Sequence, residues 1–355
     1  MADIKKLAPL LKKEKLDAFL IEGEIPLLYF TGLHFSAGKL LVTPKGGKLY
    51  VDGRYQELAK TKAPIPSSSD EEAIWKKALS KFKRIGFDGD LMSYERAQQL
   101  KQDFPKIEWV SVPSPLNAIR AKKTKPEIKK LEKAAKLGSE GYDYILTVLK
   151  EGISEKEVVF HLDRFWKERG AEGFSFEPII AFGENSALPH YRAGDRKLKK
   201  GETVLIDIGV KVDDFCSDMT RTVYFGKPPA KLKKIYEIVR QAQKKAMDKI
   251  KTGVSMKDAD KAARDVIEKA GFGKEFCHSL GHGIGLEVHE WPYLRAKGKE
   301  AEAKLEVGMA VTVEPGIYLP GLGGVRIEDT VIVTKEGNIS ITDRSTELKV
   351  IDPDV

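Results

Sequence analysis

Hydrophobic and polar residues alternate along the first third of the chain with periods that switch between those of a helix and a strand. Apolar positions three or four apart predict amphipathic helices at residues 7–15, 70–82 and 94–104. Shorter apolar runs predict strands at residues 17–21, 39–43, 49–52, 84–87 and 107–112. This alternation indicates an α/β domain, and its residues include no catalytic constellation.

The remaining two thirds predict a second domain built from two similar halves. Helical patterns at 127–169 and 231–270 are each followed by strand patterns, at 175–225 and 305–333. A proline-containing stretch at 112–115 and a charged linker at 120–125 mark the boundary, so we expect domains at 1–121 and 122–355. A chain of 355 residues with 41% hydrophobic content is long enough for two cores. The duplicated order indicates an α+β domain with an internal repeat.

Asp207 and Asp218 lie in two consecutive apolar segments that predict buried strands joined by a short polar stretch. If the turn is centred between Val212 and Asp213, the two aspartates face each other across the hairpin. Opposed Cβ atoms lie roughly 4.5–5.5 Å apart, so both carboxylates would reach a metal pair about 3.5–4 Å apart. A strand-end or turn aspartate is the alternative interpretation of Asp207.

Two glutamates take similar positions in the second half. Glu314 ends a predicted strand just before a Pro-Gly bend, where functional side chains often project. Glu328 lies in an apolar run at 325–333 together with Arg326 and Asp329. A buried arginine among carboxylates would hold them in a metal-binding orientation. A solvent-facing ion pair is the alternative for Arg326 and Asp329.

Histidines are few and clustered. Three of the six fall within twelve residues: His278, His282 and His289. Glycines flank His282 on both sides, so the backbone there can approach a ligand closely. The spacing differs from the helical His-Glu-x-x-His zinc motif, which excludes that class. His190 lies upstream of the aspartate hairpin, whereas we interpret His34 and His161 as ordinary polar residues.

Together these residues form a set of four carboxylates and one imidazole: Asp207, Asp218, His282, Glu314 and Glu328. In apolar surroundings the carboxylates would repel one another, which raises their pKa values unless the charge is compensated. Two divalent cations bring four positive charges, which balance four carboxylates and leave the imidazole as a neutral ligand. The sequence therefore predicts a buried site for two metal ions.

The ordered ligand set and the motifs around it resemble the pita-bread metallopeptidases, specifically their prolidase and aminopeptidase P branch. These motifs are Gly-His-Gly-Ile-Gly-Leu-Glu-Val-His-Glu at 281–290, Val-Glu-Pro-Gly-Ile-Tyr at 313–318 and Gly-Val-Arg-Ile-Glu-Asp at 324–329. The resemblance implies a creatinase-like α/β N-terminal domain for oligomerisation and substrate access. It also implies a pita-bread catalytic domain with an internal pseudo-two-fold repeat.

The resemblance further implies a reaction. Two divalent ions, manganese with cobalt or zinc as alternatives, would hold a bridging hydroxide that attacks the peptide bond. Six side chains have implied roles: Glu314 as proton acceptor, His190 and His289 as contacts to substrate and intermediate, His278 near the scissile bond, and Arg326 and Tyr318 as supports. The implied substrate is a dipeptide or short peptide with proline at the second position, whose Xaa-Pro bond is a tertiary amide.

Three alternatives stay open at this point. Methionine aminopeptidases share the five ligands but usually lack an N-terminal domain of this size. Non-catalytic pita-bread binding proteins usually lack the full ligand set. Within the prolidase branch, a dipeptidase and an aminopeptidase acting on longer peptides are not separated, because Tyr293 stands where some prolidases carry an arginine.

Composition limits the kinds of partner and the cellular location that we expect. The net charge of +8, from 61 basic and 53 acidic residues, comes from scattered lysine pairs without interleaved aromatics, so no nucleic-acid partner is expected. Two cysteines and the lack of any long apolar run predict a cytoplasmic protein without membrane contact. The resemblance to prolidases also implies a homodimer, in which an aromatic loop at 29–35 that contains His34 would border a neighbouring subunit's active site.

Overall fold

The computed structural model describes residues 3–354, which form two compact units. The first unit ends at Ile119, and the second begins at Arg120. A short helix at Asn117–Ala121 contains this division. Within the described residues, no helix is both long and apolar enough to cross a membrane.

The N-terminal unit is a mixed sheet with short helices. Its strands are Ala18–Ile21 (β1), Lys39–Thr43 (β2), Gly46–Val51 (β3), Ser67–Ser69 (β4), Arg84–Asp88 (β5) and Glu108–Val112 (β6), in the spatial order β4-β3-β2-β1-β5-β6. Its helices are a 3-10 turn at Ile4–Leu7 and the α-helices Ala8–Lys13 (α1), Glu24–Thr31 (α2), Gln56–Lys62 (α3), Glu72–Leu79 (α4) and Tyr94–Asp103 (α5). Trp75 and Leu100 of α4 and α5 pack into the core beside β1 and β5. The predicted α/β alternation is thus confirmed.

The aromatic run at 29–35 is a loop only from Gly32 onward, and the prediction is wrong for residues 29–31. Tyr29 and Phe30 belong to the last turn of α2, and both are buried. Gly32, at φ 69°, ends the helix in the left-handed region. Phe35 is also buried, and His34 is exposed. The pattern hid α2 because nearly every position of this helix is apolar and buried, so no amphipathic period is visible.

The second unit consists of two halves. Numbering Asn117–Ala121 as α6, the first half contains Lys125–Val148 (α7), Glu155–Lys167 (α8), Gly173–Phe174 (β7), Ile179–Phe182 (β8), a 3-10 turn at Gly183–Ala187, Glu202–Ile208 (β9), Val210–Val212 (β10), Phe215–Cys216 (β11) and Met219–Phe225 (β12). The second half contains Ala230–Lys249 (α9), Met256–Lys269 (α10), a 3-10 turn at Gly273–Glu275, Gly281–Gly283 (β13), Glu290–Leu294 (β14), Ala310–Val313 (β15), Gly316–Leu319 (β16), Gly323–Arg326 (β17), Asp329–Val333 (β18), Asn338–Ser340 (β19) and Lys349–Ile351 (β20).

Each half buries its own apolar core. The first centres on a four-stranded sheet in the order β20-β12-β9-β8, packed against α7 and α8. The second centres on a five-stranded sheet in the order β14-β13-β15-β18-β19, packed against α9 and α10. Capping boxes begin α7 at Thr124 and α8 at Ser154, each with a glutamate three residues later. The two buried strands predicted around Asp207 and Asp218 are confirmed as β9, which contains Asp207, and β12, which begins one residue after Asp218.

The two halves meet where β12 lies beside the segment between β17 and β18. The Arg221 guanidinium, only 1% exposed, pairs with Asp329 at 2.7 Å and donates to the carbonyl oxygen of Glu328. Gln243 donates to the second oxygen of Asp329, also at 2.7 Å. Asp329 is therefore buried between the halves, and the alternative of a solvent-facing ion pair is wrong for this residue.

Replacing Arg221 by alanine should destabilise the protein by about 3–5 kcal/mol, because Asp329 would remain buried without its cation. Urea unfolding followed by circular dichroism would measure this loss. Arg164→Ala is the matched control, since Arg164 pairs with Glu168 in solvent and its removal should leave the unfolding free energy nearly unchanged. Equal losses in the two variants would contradict the structural importance of this pair.

Candidate metal centre and active site

The two aspartates lie close together but in a different register from the predicted one. Asp207 pairs with Thr220 across β9 and β12, so Asp218 is its diagonal and not its direct neighbour. The turn is centred one residue later than predicted, because Val212 pairs with Phe215. The turn residues Asp213 and Asp214 have φ values of 49° and 71°, which an aspartate tolerates in a tight two-residue hairpin.

The two glutamates lie where strands are interrupted. β15 stops before Glu314 because Pro315 has no N–H group for the strand ladder. The apolar run at 325–333 is two strands and not one, since β17 pairs with β16 whereas β18 pairs with β15. Glu328 lies at the break between them. Both carboxylates therefore lie immediately beyond one end of a strand.

These side chains meet in one cavity of about 390 Å³ in the second unit. Nine of the ten predicted site residues line it: His190, Asp207, Asp218, His278, His282, His289, Glu314, Arg326 and Glu328. Tyr318 is buried beside it and hydrogen bonds to His278 and Arg326. The cavity wall also includes residues that the sequence analysis did not single out for the site, among them Glu177 and Arg192.

The donor set fits a metal ion. Ligand atoms of Asp218, His282 and Glu328 all lie within 4.8 Å of one another. One oxygen each of Asp207, Asp218 and Glu328 is buried without a hydrogen-bond partner. Buried carboxylate oxygens without partners are costly in a native protein unless a cation binds them. Asp207 and Glu314 lie outside the tight triad but line the same cavity.

Burial and charge repulsion give the carboxylates distinct pKa values. Burial and then the charges of neighbouring carboxylates raise the pKa of Asp218 and Glu328 well above the usual range. Burial also raises the pKa of Asp207, although Arg326 opposes this. For Glu314, burial acts in the same direction, but the hydrogen bond and charge of His282 lower the pKa to about 2. Glu314 is therefore the carboxylate that is most readily ionised at neutral pH.

His282 presents one ring nitrogen to the carboxylates. Its Nδ1 lies 3.0 Å from the carbonyl oxygen of Gly283, the geometry of an N–H donor. Its Nε2 then faces the oxygens of Glu314, at 3.3 Å, and Asp218, at 3.6 Å. Burial opposes the charged form, but the hydrogen bond to Glu314 raises the pKa of His282, so without a metal ion this nitrogen carries a proton that it donates to Glu314. Loss of that proton would leave the same nitrogen free to bind a metal ion as a neutral ligand.

A buried chain of hydrogen bonds supports Asp207. Arg326, only 3% exposed, pairs with Asp207 and donates to the Tyr318 hydroxyl at 2.7 Å. That hydroxyl lies 2.9 Å from Nε2 of His278, whose Nδ1 lies 2.8 Å from the carbonyl oxygen of Ser279. The alternative of a solvent-facing ion pair is therefore wrong for Arg326, because its guanidinium is buried and binds Asp207 and Tyr318.

His190 and His289 lie on the open side of the cavity. Both residues are exposed, in contrast to the buried His282. The rings of His289 and His282 meet edge to face, with centroids 4.3 Å apart. Partial burial and then the charge of His282 lower the pKa of His289. Their position leaves both exposed rings accessible to a molecule that enters the cavity.

Sequence analysis missed Thr220. Its hydroxyl accepts a hydrogen bond from Nε of Arg326 at 3.2 Å and donates to Glu328 at 2.7 Å. Thr220 therefore links a carboxylate of one half to the strand of the other. The available signal was a polar residue inside the apolar strand β12, which is also the residue opposite Asp207 once the turn is placed correctly.

Family comparisons agree with this architecture. Residues 129–335 match the model described as metallopeptidase family M24, and residues 4–122 match the creatinase/prolidase N-terminal domain. The chain belongs to metallopeptidase family M24. It is accordingly an enzyme with a creatinase-type N-terminal domain and a pita-bread catalytic domain, and not a non-catalytic binding protein of this fold.

Relatives cover nearly the whole chain. An Xaa-Pro dipeptidase of Pyrococcus horikoshii is 39% identical over 347 residues, which are 97% of this chain and 98% of the relative. The solved structure of an Xaa-Pro dipeptidase from Bacillus anthracis has a TM-score of 0.92 at 38% identity and covers 98% of both chains. That of an X-Pro aminopeptidase from Thermotoga maritima has a TM-score of 0.88 at 31% identity, covering 95% of this chain and 98% of that one.

In this M24 enzyme, Asp218→Asn should stabilise the metal-free protein while abolishing tight metal binding. Ionised Asp218 opposes folding, because its pKa is higher in the folded than in the unfolded state. The melting temperature of chelator-treated protein at pH 8 should rise by about 2–4 °C, the shift that about 1 kcal/mol gives in a domain of this size. The gain should vanish below about pH 4, where the carboxyl is protonated in both states.

Asp207→Asn is the matched control for this experiment. It also removes a site carboxylate, but it leaves the buried Arg326 without its anionic partner. Because Arg326 opposes the rise of the Asp207 pKa, that pKa is raised less than the pKa of Asp218, and the metal-free melting temperature should rise less than in Asp218→Asn. A metal-free Asp218→Asn protein that melts below the unmodified one at pH 8 would show that repulsion does not dominate at this position.

Proposed function

We propose that the enzyme hydrolyses the Xaa-Pro bond at the N-terminus of dipeptides or short peptides with two divalent metal ions. The observation that carries the proposal is the convergence of Asp207, Asp218, His282, Glu314 and Glu328 on one cavity, with three carboxylate oxygens lacking partners. The substrate class rests on the relatives, whose names are Xaa-Pro dipeptidase and X-Pro aminopeptidase. A methionine aminopeptidase is less well supported, since residues 4–122 match the creatinase/prolidase N-terminal domain.

The five ligands would hold the ions, which when bound supply a water molecule of lowered pKa and positive charge against a developing oxyanion. Glu314 is the proton acceptor in this scheme. Its side chain is 18% exposed and lines the cavity, so it can reach a water molecule held there. A proton taken by Glu314 can pass to the leaving imino nitrogen of proline, which has no N–H group of its own in the peptide.

The exposed histidines contact the substrate in this scheme. His190 and His289 lie on the open side of the cavity, where they can donate hydrogen bonds to the peptide carbonyl and the tetrahedral intermediate. His278, which would lie near the scissile bond, is connected through the Tyr318 hydroxyl to Arg326, and Arg326 keeps Asp207 oriented. These roles need no movement of the buried side chains, because their hydrogen bonds already form within the protein.

Metal identity, assembly and location are further parts of the proposal. Four carboxylates and one imidazole form an oxygen-rich set that suits manganese, and cobalt or zinc would also bind such ligands. The N-terminal domain carries none of the predicted site residues, which agrees with a role in forming a homodimer. Two free cysteines, Cys216 and Cys277, are consistent with a reducing cytoplasm.

The manganese-loaded enzyme should hydrolyse an Xaa-Pro dipeptide, and chelation should abolish this activity reversibly. Parallel assays with an Xaa-Pro-Pro tripeptide would distinguish a dipeptidase from an aminopeptidase, because only in the dipeptide does the proline that follows the cleaved bond carry a free carboxylate. A Met-Ala dipeptide is the control for a methionine aminopeptidase. Faster cleavage of Met-Ala than of both prolyl substrates, or full activity in metal-free protein, would refute the proposal.

Alanine variants of the histidines should separate a ligand from substrate contacts. His282→Ala should lose metal as well as rate. His190→Ala and His289→Ala should keep both metals yet lose about two to four orders of magnitude in kcat, because they act on the substrate and oxyanion. Elemental analysis and steady-state kinetics on the three purified variants measure both quantities. Loss of metal in the His190 or His289 variant, or near-normal turnover, would contradict the assigned roles.

A further inference from the structure

The segment that carries His190 is organised around one buried carboxylate. Glu155, the first residue of α8, is 0% exposed and takes no part in the proposed chemistry. All four of its side-chain hydrogen bonds come from residues 182–194: the Phe182 N–H at 2.9 Å, Asn185 Nδ2 at 3.0 Å, the Tyr191 hydroxyl at 2.7 Å and the Gly194 N–H at 2.8 Å. His190 lies inside the segment that these bonds close.

The arrangement is specific for a carboxylate. Each oxygen of Glu155 accepts two donors, and Asn185 also donates to the Tyr191 hydroxyl at 2.8 Å, which joins the two sides of the segment. The position at the start of α8 favours a negative charge, since the helix dipole is positive there. A glutamine of the same size would place an N–H donor against existing donors, and the segment would have to shift.

The segment that carries His289 has the same design. Glu290 is also buried, and it accepts hydrogen bonds from Arg120, from Lys123 at 3.1 Å and from the Glu287 N–H at 3.1 Å. The carboxylate thus closes the loop from Glu287 to Glu290, with His289 inside it. Both exposed histidines therefore lie on short irregular segments, and each segment folds around a buried glutamate.

We propose that Glu155 and Glu290 are positioning residues, each of which fixes one histidine of the active site. Glu155 acts through His190, and Glu290 acts through His289. This inference rests on the proposed function only for the roles of the two histidines. It assigns each glutamate to one histidine and not to the other, which gives a specific test.

Double-mutant cycles on the metal-loaded full-length enzyme test this assignment. Glu155→Gln should keep its metal and lose about 10–100-fold in kcat, the size of effect that a displacement of about 1 Å produces. In the Glu155→Gln/His190→Ala double variant, kcat should be at most about threefold lower than in His190→Ala alone. In the Glu155→Gln/His289→Ala double variant, the losses of kcat caused by the two single substitutions should multiply. Glu290→Gln should show the opposite pattern. Glu157→Gln, an exposed capping residue on the same helix, should leave kcat unchanged.

Two milder variants serve if the glutamine variants do not fold. Asn185→Ala removes one donor to Glu155, and Lys123→Met removes one to Glu290, and each should give a smaller loss with the same pairing. The ring resonances of histidine in NMR spectra give a readout besides activity. Glu155→Gln should move those of His190 and not those of His289.

The outcomes are distinct. The positioning role would be overturned if the loss of kcat caused by a glutamate substitution multiplied equally with that of both histidine variants. It would also be overturned if the His190 resonances did not shift in Glu155→Gln. Normal turnover in the single His190→Ala and His289→Ala variants would instead refute the roles given to the histidines in the proposed function. In that case the NMR spectra still decide whether the glutamates hold the two segments.

Discussion

Electrostatic repulsion among four buried carboxylates is the constraint that shapes the catalytic domain. Asp207, Asp218, Glu314 and Glu328 share one cavity. Without cations, their desolvation and mutual repulsion destabilise the fold, and apolar packing does not compensate this effect. The protein compensates part of this charge itself, through Arg326 against Asp207 and His282 against Glu314. Asp218 and Glu328 keep strongly raised pKa values, so they are where cations stabilise the fold most.

The same constraint explains why the site lies between two halves. Each half supplies carboxylates from strands of its own sheet, and hydrogen bonds across the boundary set their spacing. Thr222 and Arg326 exchange two bonds, of 2.9 and 3.2 Å, while Arg221 pairs with Asp329 a few residues away. Each half closes its own apolar core, and a small apolar cluster of Ile179, Ala181, Leu205 and Tyr318 also joins them. These polar and apolar contacts together hold the relative position of the halves, on which the geometry of the site depends.

The cavity combines a rigid back with a more open front. Behind the acidic cluster, Arg326, Tyr318 and His278 form a buried chain of hydrogen bonds in which each polar group has a partner. In front, His190 and His289 are exposed on irregular segments, and each of these segments folds around a buried glutamate. This division suits an enzyme whose buried ligands stay fixed while substrates exchange with solvent.

The sequence by itself determined which residues to expect at the site, since charged residues in apolar segments and a histidine between glycines are unusual enough to identify without coordinates, and the structure places the five predicted ligands around one cavity. It also indicated the α/β and duplicated α+β order, because period and segment length are local properties. Only the tertiary structure decided the hairpin register, the break at Glu328, and that residues 24–31 form a helix whose positions 26–31 are buried. Register depends on a turn whose two aspartates adopt positive φ, and the break depends on which strand each neighbour pairs with. Glu155 was not identified because its partners are distant in sequence, so no local pattern distinguishes it from an ordinary polar residue. Thr220 was not identified because the predicted turn placed Asp218, and not Thr220, opposite Asp207.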